Sequence, residues 1–432
     1  MMRTVVWNEL TTEKQAEILQ RPVQMSAESL ESRVRAIGEA IETEGDAALL
    51  RFTAQFDGTE LTEVLLPQSA FDTAEQNLSD EFKAALKNAY DNIYQFHKAQ
   101  QTPPITVETQ KGVVCEVVTR PIEKVGLYIP GGTAPLFSTV LMLAIPAQIA
   151  GCQRIVLASP PTIADEIIYA AKLCGIDTIY TMGGAQAIFA LGLGTEQVEK
   201  VDKIFGPGNS YVTEAKRQVS QRVNGAAIDM PAGPSEVLVI ADDSADPDFV
   251  ASDLLSQAEH GADSQVILVT TSQKMAERVN AALDYWLARL SRKDVATESL
   301  RHSTTIIVDD LTKAVHVSNQ YAPEHLILQT QAPRDLLPNI QHAGSVFVGQ
   351  YSPESMGDYA SGTNHVLPTY GYAKTVSSLG LADFSKRMTI QEISEEGLKD
   401  LGPIVSLLAE KELLDAHKLA VDLRLEKVKE RA

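Results

Sequence analysis

The chain has 432 residues, more than a single hydrophobic core ordinarily serves, so at least two domains are expected. Apolar residues make up 44% and charged residues 22%, which gives ample material to bury and excludes a disordered chain. The formal net charge of −20 repels phosphate backbones, so nucleic acid is not expected as a partner.

In chain order, the start from Met1 to Trp7 soon turns polar and has no secretory apolar run. The first hundred residues read as helical. Val34, Ile37 and Ile41 recur at helical spacing until Gly45-Asp46, and Phe82, Leu86, Ile93 and Phe96 mark a later amphipathic helix. After Pro103-Pro104 the pattern changes. Strands are predicted over 113–118 and 125–129, then an apolar helix over 139–150 that stops at Gly151. That apolar stretch is interrupted by Pro146 and Gln148 and is too short to span a bilayer, so no membrane association is expected. A strand over 154–158, a helix to Cys174 with Gly175 as its C-cap, a strand over 178–181 and a helix over 185–191 follow. A second series runs through strands at 236–240, 266–269, 305–308 and 345–348, with a helix over 275–290 among the connections. From Arg387 the chain reads as helical and strongly charged. Cys115, Cys152 and Cys174 are odd in number and spread out, which fits no disulfide framework and points to a reducing, cytoplasmic setting.

Alternating strands and helices with short loops mean βαβ units and parallel sheets. The expected fold is α/β: two tandem Rossmann-like domains with parallel sheets, plus helical N-terminal and C-terminal extensions. The expected boundaries are an arm at 1–22, one α/β domain from 23–125 and 236–380, an inserted α/β domain at 126–235, and a helical tail at 381–432.

Candidate chemistry starts from the eight histidines. His97, His302, His316 and His342 have no special setting and read as surface or satisfied core residues. Gln257 and His260 are three apart on a predicted helix, so both can reach one metal, although alone the motif reads first as a polar helix end before Gly261. Asp358 can supply a carboxylate oxygen, or simply cap a turn. His417 lies on the C-terminal helix, where most histidines are solvated. Together, N and O donors of this kind suit zinc, cobalt or manganese. Glu324-His325 follows Ala322-Pro323 at the start of a strand, which fits an acid/base pair and equally an exposed polar turn. No GxGxxG fingerprint follows a strand. Three loops at strand ends, Pro130-Gly131-Gly132, Gly183-Gly184-Ala185-Gln186 and Gly206-Pro207-Gly208-Asn209, are each explained by turn chemistry, but three in one block favour a nucleotide site. Ser235, in Pro231-Ala232-Gly233-Pro234-Ser235-Glu236, fits a substrate hydrogen bond or a plain linker serine.

Taken together and in order, Gly126-Leu127-Tyr128-Ile129-Pro130-Gly131-Gly132, Gly206-Pro207-Gly208-Asn209, Asp229-Met230-Pro231-Ala232-Gly233-Pro234-Ser235-Glu236, Gln257-Ala258-Glu259-His260, Ala322-Pro323-Glu324-His325-Leu326 and Gly362-Thr363-Asn364-His365 closely resemble the histidinol dehydrogenase family over nearly the whole chain. The resemblance implies oxidation of L-histidinol through L-histidinal to L-histidine with two NAD and one zinc per site. It implies zinc ligands at Gln257, His260, Asp358 and His417, and an acid/base pair at Glu324 and His325. It further implies substrate contacts at Ser235, His365 and Glu412, shared with the zinc ligands and His325, and NAD contacts at Tyr128, Gln186 and Asn209. It implies a homodimer whose C-terminal tail completes the partner's site. On this reading the inserted domain carries the NAD loops and the other α/β domain the metal and acid/base residues.

Three rival readings stay in view. One is a zinc alcohol dehydrogenase acting on another small alcohol, against which His365 and Glu412 suit an imidazole and amine. Another is a metal-free aldehyde dehydrogenase with a thiolate nucleophile, for which all three cysteines look structural. The last is a non-catalytic metal- or nucleotide-binding protein.

Overall fold

The computed structural model describes residues 2–22, 27–131, 135–230 and 233–431. Gly132, Pro231 and Ala232, which the sequence places in ligand-facing loops, lie outside the described residues. The chain divides into two compact units, Met1–Gln100 with Ile122–Asp383, and Gln101–Pro121 with Phe384–Ala432.

Among the described residues, the first unit holds two parallel sheets of like construction. In one, the strand Glu236–Ala241 is central. Gln265–Thr270, Thr304–Ile307 and Arg3–Val6 lie in turn on one side of it, and His325–Gln329 and Ser345–Val348 on the other. In the second sheet Lys124–Tyr128 is central, flanked by Arg154–Ser159 then Ile179–Thr181, and by Lys203–Phe205 then Ala227–Ile228. Each series builds outward from its first main strand and then reverses to the other side, the doubly wound arrangement that the βαβ rhythm predicts.

Burial explains the strand sequences. Val237, Val239 and Ala241 enter the core on one face of the first sheet with Leu254, Val266 and Val279, while Leu238 and Ile240 enter the core on the other face with Val315, Tyr321 and Leu326. A strand covered on both faces has no polar side to show, which is why Glu236–Ala241 reads as a continuous apolar run. The second sheet packs Val156 and Ile204 against Val34, Ile37 and Ile41 of the helix Ala27–Glu44 and Phe189 of the helix Gly184–Leu193. The helical spacing seen in the N-terminal sequence is therefore a core-facing stripe.

Two expectations are corrected. The N-terminal stretch is not wholly helical, because Arg3–Val6 adds a parallel strand beside Thr304–Ile307. The tail is not wholly helical either, because Ser385–Ile393 pairs antiparallel with Val113–Pro121 over its whole length. Both are edge strands whose partners lie far along the chain, so no local signal announces them. The second pairing also groups residues 101–121 with the tail, where the sequence grouped them with the α/β domain.

The second unit is a three-stranded antiparallel sheet, in the order Ser385–Ile393, Val113–Pro121, Ile105–Gln110, with the helices Glu395–Lys411 and Asp415–Arg431. These helices are tied by Ser406 Oγ to Asp422 Oδ1 at 2.5 Å, and Leu425 closes over Gly402. No helix among the described residues is long and apolar enough to cross a membrane.

Candidate active site

A cavity of about 1270 Å³ opens within the first unit. One wall is the C-terminal edge of the second sheet, carrying Tyr128, Gln186 and Asn209. The other is the N-terminal edge of the first sheet, carrying Ser235, Glu324 and His325. Gln257, His260, Asp358 and His365 line the same space. The first wall obeys the rule that such sheets bind ligands beyond their strand C-termini. The second wall uses the opposite edge.

On the C-terminal wall, the loop after Lys203–Phe205 is fixed by close backbone approach. Gly206 has φ +124°, and a Cβ there would stand 2.0 Å from the Tyr128 carbonyl oxygen, so only glycine fits. Asp229 Oδ2 accepts the Gly206 N–H at 2.8 Å, and Lys216 Nζ donates to the Gly206 carbonyl at 2.9 Å. Lys216 and Asp229 are also paired with each other and buried, so the loop hangs on a neutralised internal pair. The Asn209 side chain caps the helix Ser210–Ser220 by accepting from Val212 N at 3.1 Å. Burial pushes the Tyr128 hydroxyl up to about 12, and it accepts the Gly184 N–H at 3.0 Å. Gln186 Nε2 donates to Asp57 at 3.4 Å, while its Oε1 is buried without a partner among the described residues.

On the opposite wall Glu236 is the hub. Its carboxylate takes two bonds from Arg21, at 2.6 and 2.9 Å, and one from Tyr370 N at 2.8 Å. Its backbone N–H donates to Glu324 Oε2 at 2.9 Å, and its carbonyl lies 3.0 Å from His325 Nδ1. A carbonyl only accepts, so Nδ1 carries a proton and Nε2 is the atom left to the cavity. Nε2 is buried without a hydrogen bond among the described residues and lies 3.7 Å from Asp358 Oδ1. Burial raises the Glu324 carboxyl above its usual range. Burial opposes charge on His325, but Glu324, Asp358 and Glu354 outweigh it and raise the imidazole well above the ordinary histidine range.

The donor set fits a divalent metal. Gln257, in the last turn of the helix Pro247–Ala258, has its Oε1 buried and unpartnered among the described residues. His260 keeps an exposed edge, yet desolvation by the protein around its ring holds it below its usual range and favours the neutral form that a nitrogen ligand needs. Burial works against charge on Asp358, but His325 overcomes it and keeps the carboxyl below its usual range, hence ionised. Among the described residues no three His, Cys, Asp or Glu side chains gather into a metal cluster, and this set adds an amide oxygen to one imidazole and one carboxylate. His365 is half-buried, and desolvation holds its imidazole below the usual range. Its Nδ1 donates to the Asp358 carbonyl at 2.8 Å, and its Nε2 meets Thr139 Oγ1 at 3.2 Å.

Ten of the twelve residues singled out from sequence thus line one cavity. The other two, Glu412 at the end of Glu395–Lys411 and His417 in Asp415–Arg431, are exposed residues of the second unit. No cysteine lines the cavity. Cys115 is on a strand of the second unit, and burial lifts the Cys152 thiol to about 11 and Cys174 higher still, so neither is a thiolate at neutral pH. Sequence reasoning missed Glu354, Thr139 and Lys216, which also line the cavity. Glu354 and Thr139 stand in no recognisable motif, and Lys216 looks like any helix lysine until its burial is seen.

The histidinol dehydrogenase family model matches residues 19–425. Histidinol dehydrogenase of Vibrio parahaemolyticus is 61% identical over 99% of both chains, and that of Haemophilus influenzae 59% identical over 99% of this chain and 100% of its own. The crystal structure of histidinol dehydrogenase from Elizabethkingia anophelis matches with a TM-score of 0.96 at 48% identity, covering 99% of each chain. Proline utilization A of Bradyrhizobium japonicum shares the fold alone, with a TM-score of 0.51 at 13% identity over 88% of this chain and 46% of that one. With its family model spanning nearly the whole sequence and relatives of this identity covering it end to end, the chain belongs to the histidinol dehydrogenase family.

Proposed function

We propose that the chain oxidises L-histidinol through L-histidinal to L-histidine with two NAD, the last two steps of histidine biosynthesis, using one zinc per site. The observation that carries this reading is the convergence, on one cavity, of an orphaned amide oxygen, a neutral imidazole and an ionised carboxylate beside a tautomer-fixed histidine and a buried glutamate. Gln257, His260 and Asp358 would hold zinc together with His417, and Tyr128, Gln186 and Asn209 would hold NAD. When bound, NAD would supply the oxidant for both steps. Zinc would tether the substrate's imidazole and amine, its charge offsetting the carboxylates that hold the His325 proton.

His325 Nε2 takes the hydroxyl proton of the alcohol as its carbon gives up hydride. Nδ1 cannot do so, because it is bound to the Glu236 carbonyl. The aldehyde then needs water: the water oxygen adds to the carbonyl carbon as Glu324 takes one of its protons, and His325 Nε2 returns the proton it holds to the carbonyl oxygen to give a gem-diol. The gem-diol carbon gives up the second hydride, for which the second NAD would be the acceptor, as one of its hydroxyl protons passes to His325 Nε2, leaving the carboxylic acid. The Glu324 carboxyl is raised by burial toward the range where proton uptake is useful, and the Glu236 N–H holds it in place. Ser235, His365 and Glu412 position the substrate, and His365 presents Nε2 as an acceptor for its polar hydrogens once Thr139 yields. The working form is a homodimer, in which the tail bearing Glu412 and His417 completes the partner's site.

The test is to mix zinc-loaded protein with L-histidinol and NAD and count NADH per histidine formed. Two NADH per histidine, abolished by a chelator and restored by zinc, is the expected result. One NADH with the aldehyde as end product removes the role given to Glu324. No NADH from histidinol, with turnover of another small alcohol, leaves the scaffold and overturns the substrate.

A further inference from the structure

Glu354 is a carboxyl that the proposed chemistry does not use. It is buried, lines the cavity, and opens the short helix Glu354–Tyr359. Asp358 is four residues further on, so the two acids share one face of that helix. Glu354 Oε1 is in hydrogen-bond contact with Ser256, whose hydroxyl also reaches the Asp253 carbonyl at 2.7 Å. Ser256 precedes Gln257 in the last turn of Pro247–Ala258, and that turn leads into His260. Burial raises the Glu354 carboxyl to about 8, and its Oε2 has no partner among the described residues. The short helix is also held from its C-terminal side, where the Asp358 carbonyl accepts from His365 Nδ1 at 2.8 Å and the Ala360 carbonyl accepts from Asn92 Nδ2 at 3.0 Å. It makes one close apolar seat, at Gly357, where a Cβ would stand 2.7 Å from the Phe347 ring.

We propose that Glu354 is a positioning residue for the metal site: its bond to Ser256 clamps the helix that carries Asp358 against the helix end that carries Gln257 and leads to His260. The inference rests on the reading that those three residues hold a divalent metal. Two ligands come from one helix end and the third from a six-residue helix separated from it by a long stretch of chain. The Ser256 contact links the two donor-bearing helices directly, where the contacts of Asp358 with His365 and His325 fix it only to other elements. Partners behind the ligands orient them, and removing such a partner typically costs ~10–100-fold in metal affinity.

Zinc affinity of the full-length apo protein, by competition with a coloured chelator, reads this out directly, with thermal unfolding of the apo protein as the control. Glu354→Ala is expected to lose zinc affinity by ~10–100-fold while the apo protein still melts cooperatively. Ser256→Ala, which removes the other half of the clamp and leaves the carboxyl, is expected to weaken zinc in the same direction. Glu354→Gln keeps an oxygen that accepts from Ser256 and should bind zinc close to the wild type. Unchanged affinity in both Glu354→Ala and Ser256→Ala overturns the inference and leaves the metal reading standing. A Glu354→Gln affinity as poor as that of Glu354→Ala overturns it too, because charge and not the link would then be responsible. Failure of the wild type to bind zinc overturns the metal reading itself, and this inference with it.

Discussion

His325 is useful because one of its nitrogens is occupied. With Nδ1 bound to the Glu236 carbonyl, the ring is oriented and Nε2 is the atom left for the proposed role of taking a substrate hydroxyl proton. Replacing His325 by Asn is expected to lower turnover by ~10²–10⁴-fold with the folded structure intact, the usual contribution of a positioned base. Full turnover in that variant would remove the assignment. Glu324→Gln should behave differently. It leaves Nε2 in place but cannot take a proton from water, so oxidation of histidinol should proceed to the aldehyde and stall there, seen as one NADH and released or trapped histidinal. At this scale the sequence was legible where candidate side chains that line the cavity sit side by side, as in Glu324-His325, or one helical turn apart, as in Gln257 and His260. Glu354 and Ser256 were not legible although each lies close in sequence to a candidate, because only packing brings the two together.

Among the elements, the helix Asp80–Lys98 shows how an apparently ordinary histidine supports the site. His97 is fully buried. Its Nδ1 donates to the Ile93 carbonyl at 2.8 Å, and its Nε2 meets Asn364 Nδ2 at 3.3 Å. Asn364 also donates to the Met142 carbonyl at 2.7 Å and accepts from Val366 N at 3.0 Å, so the segment that bears His365 is pinned from three directions. Burial lowers the His97 pKa below its ordinary value of 6.5. The sign follows from linkage: the unfolded chain takes up this proton at a higher pH than the folded one, so stability is fully present above 6.5 and is lost as pH falls from there toward the lowered folded value. His97→Gln should therefore melt lower than the wild type at neutral pH, with a shallower further loss of Tm on acidification through that window. Parallel Tm-against-pH curves for the two proteins would show that His97 carries no such linkage. The sequence left His97 as either a surface or a satisfied core residue, and the structure makes it the second; the βαβ rhythm located most strands of both parallel sheets. What the rhythm could not give was direction across the cavity. One sheet contributes its C-terminal edge and the other its N-terminal edge, which depends on how two separately wound sheets face one another and not on any local pattern.

At the scale of the whole molecule, the second unit leaves a large apolar surface open. Ile404, Leu407, Leu408, Leu413 and Leu419 are each more than half exposed, and Ile105 of its sheet is 58% exposed. An exposed apolar surface of this extent, on a unit whose helices pack on each other through Ser406, Gly402 and Leu425, marks a surface meant to be covered. The proposed occupant is a second copy of the chain, and the role proposed for Glu412 and His417 in the partner's site gives that pairing a purpose. The sequence showed a charged tail with Glu412 and His417 on it but not the Ser385–Ile393 strand that roots it, since the pairing with Val113–Pro121 is long-range. Subunit mixing tests the arrangement. A His325→Asn chain lacks the proposed base, and a His417→Asn chain lacks the proposed tail ligand, so each homodimer should be inactive. If the tail serves the partner, the hybrid contains one intact site, made from the cavity of the His417→Asn chain and the tail of the His325→Asn chain. Co-refolding the two variants should then restore histidinol oxidation, in proportion to the hybrid resolved by differential tagging. If the tail folds back onto its own cavity, every site in the hybrid lacks one of the two residues, and the mixture stays as inactive as its parts. Leu408→Glu, placed on the exposed apolar surface, should lower both the dimer fraction in sedimentation and the activity recovered on mixing.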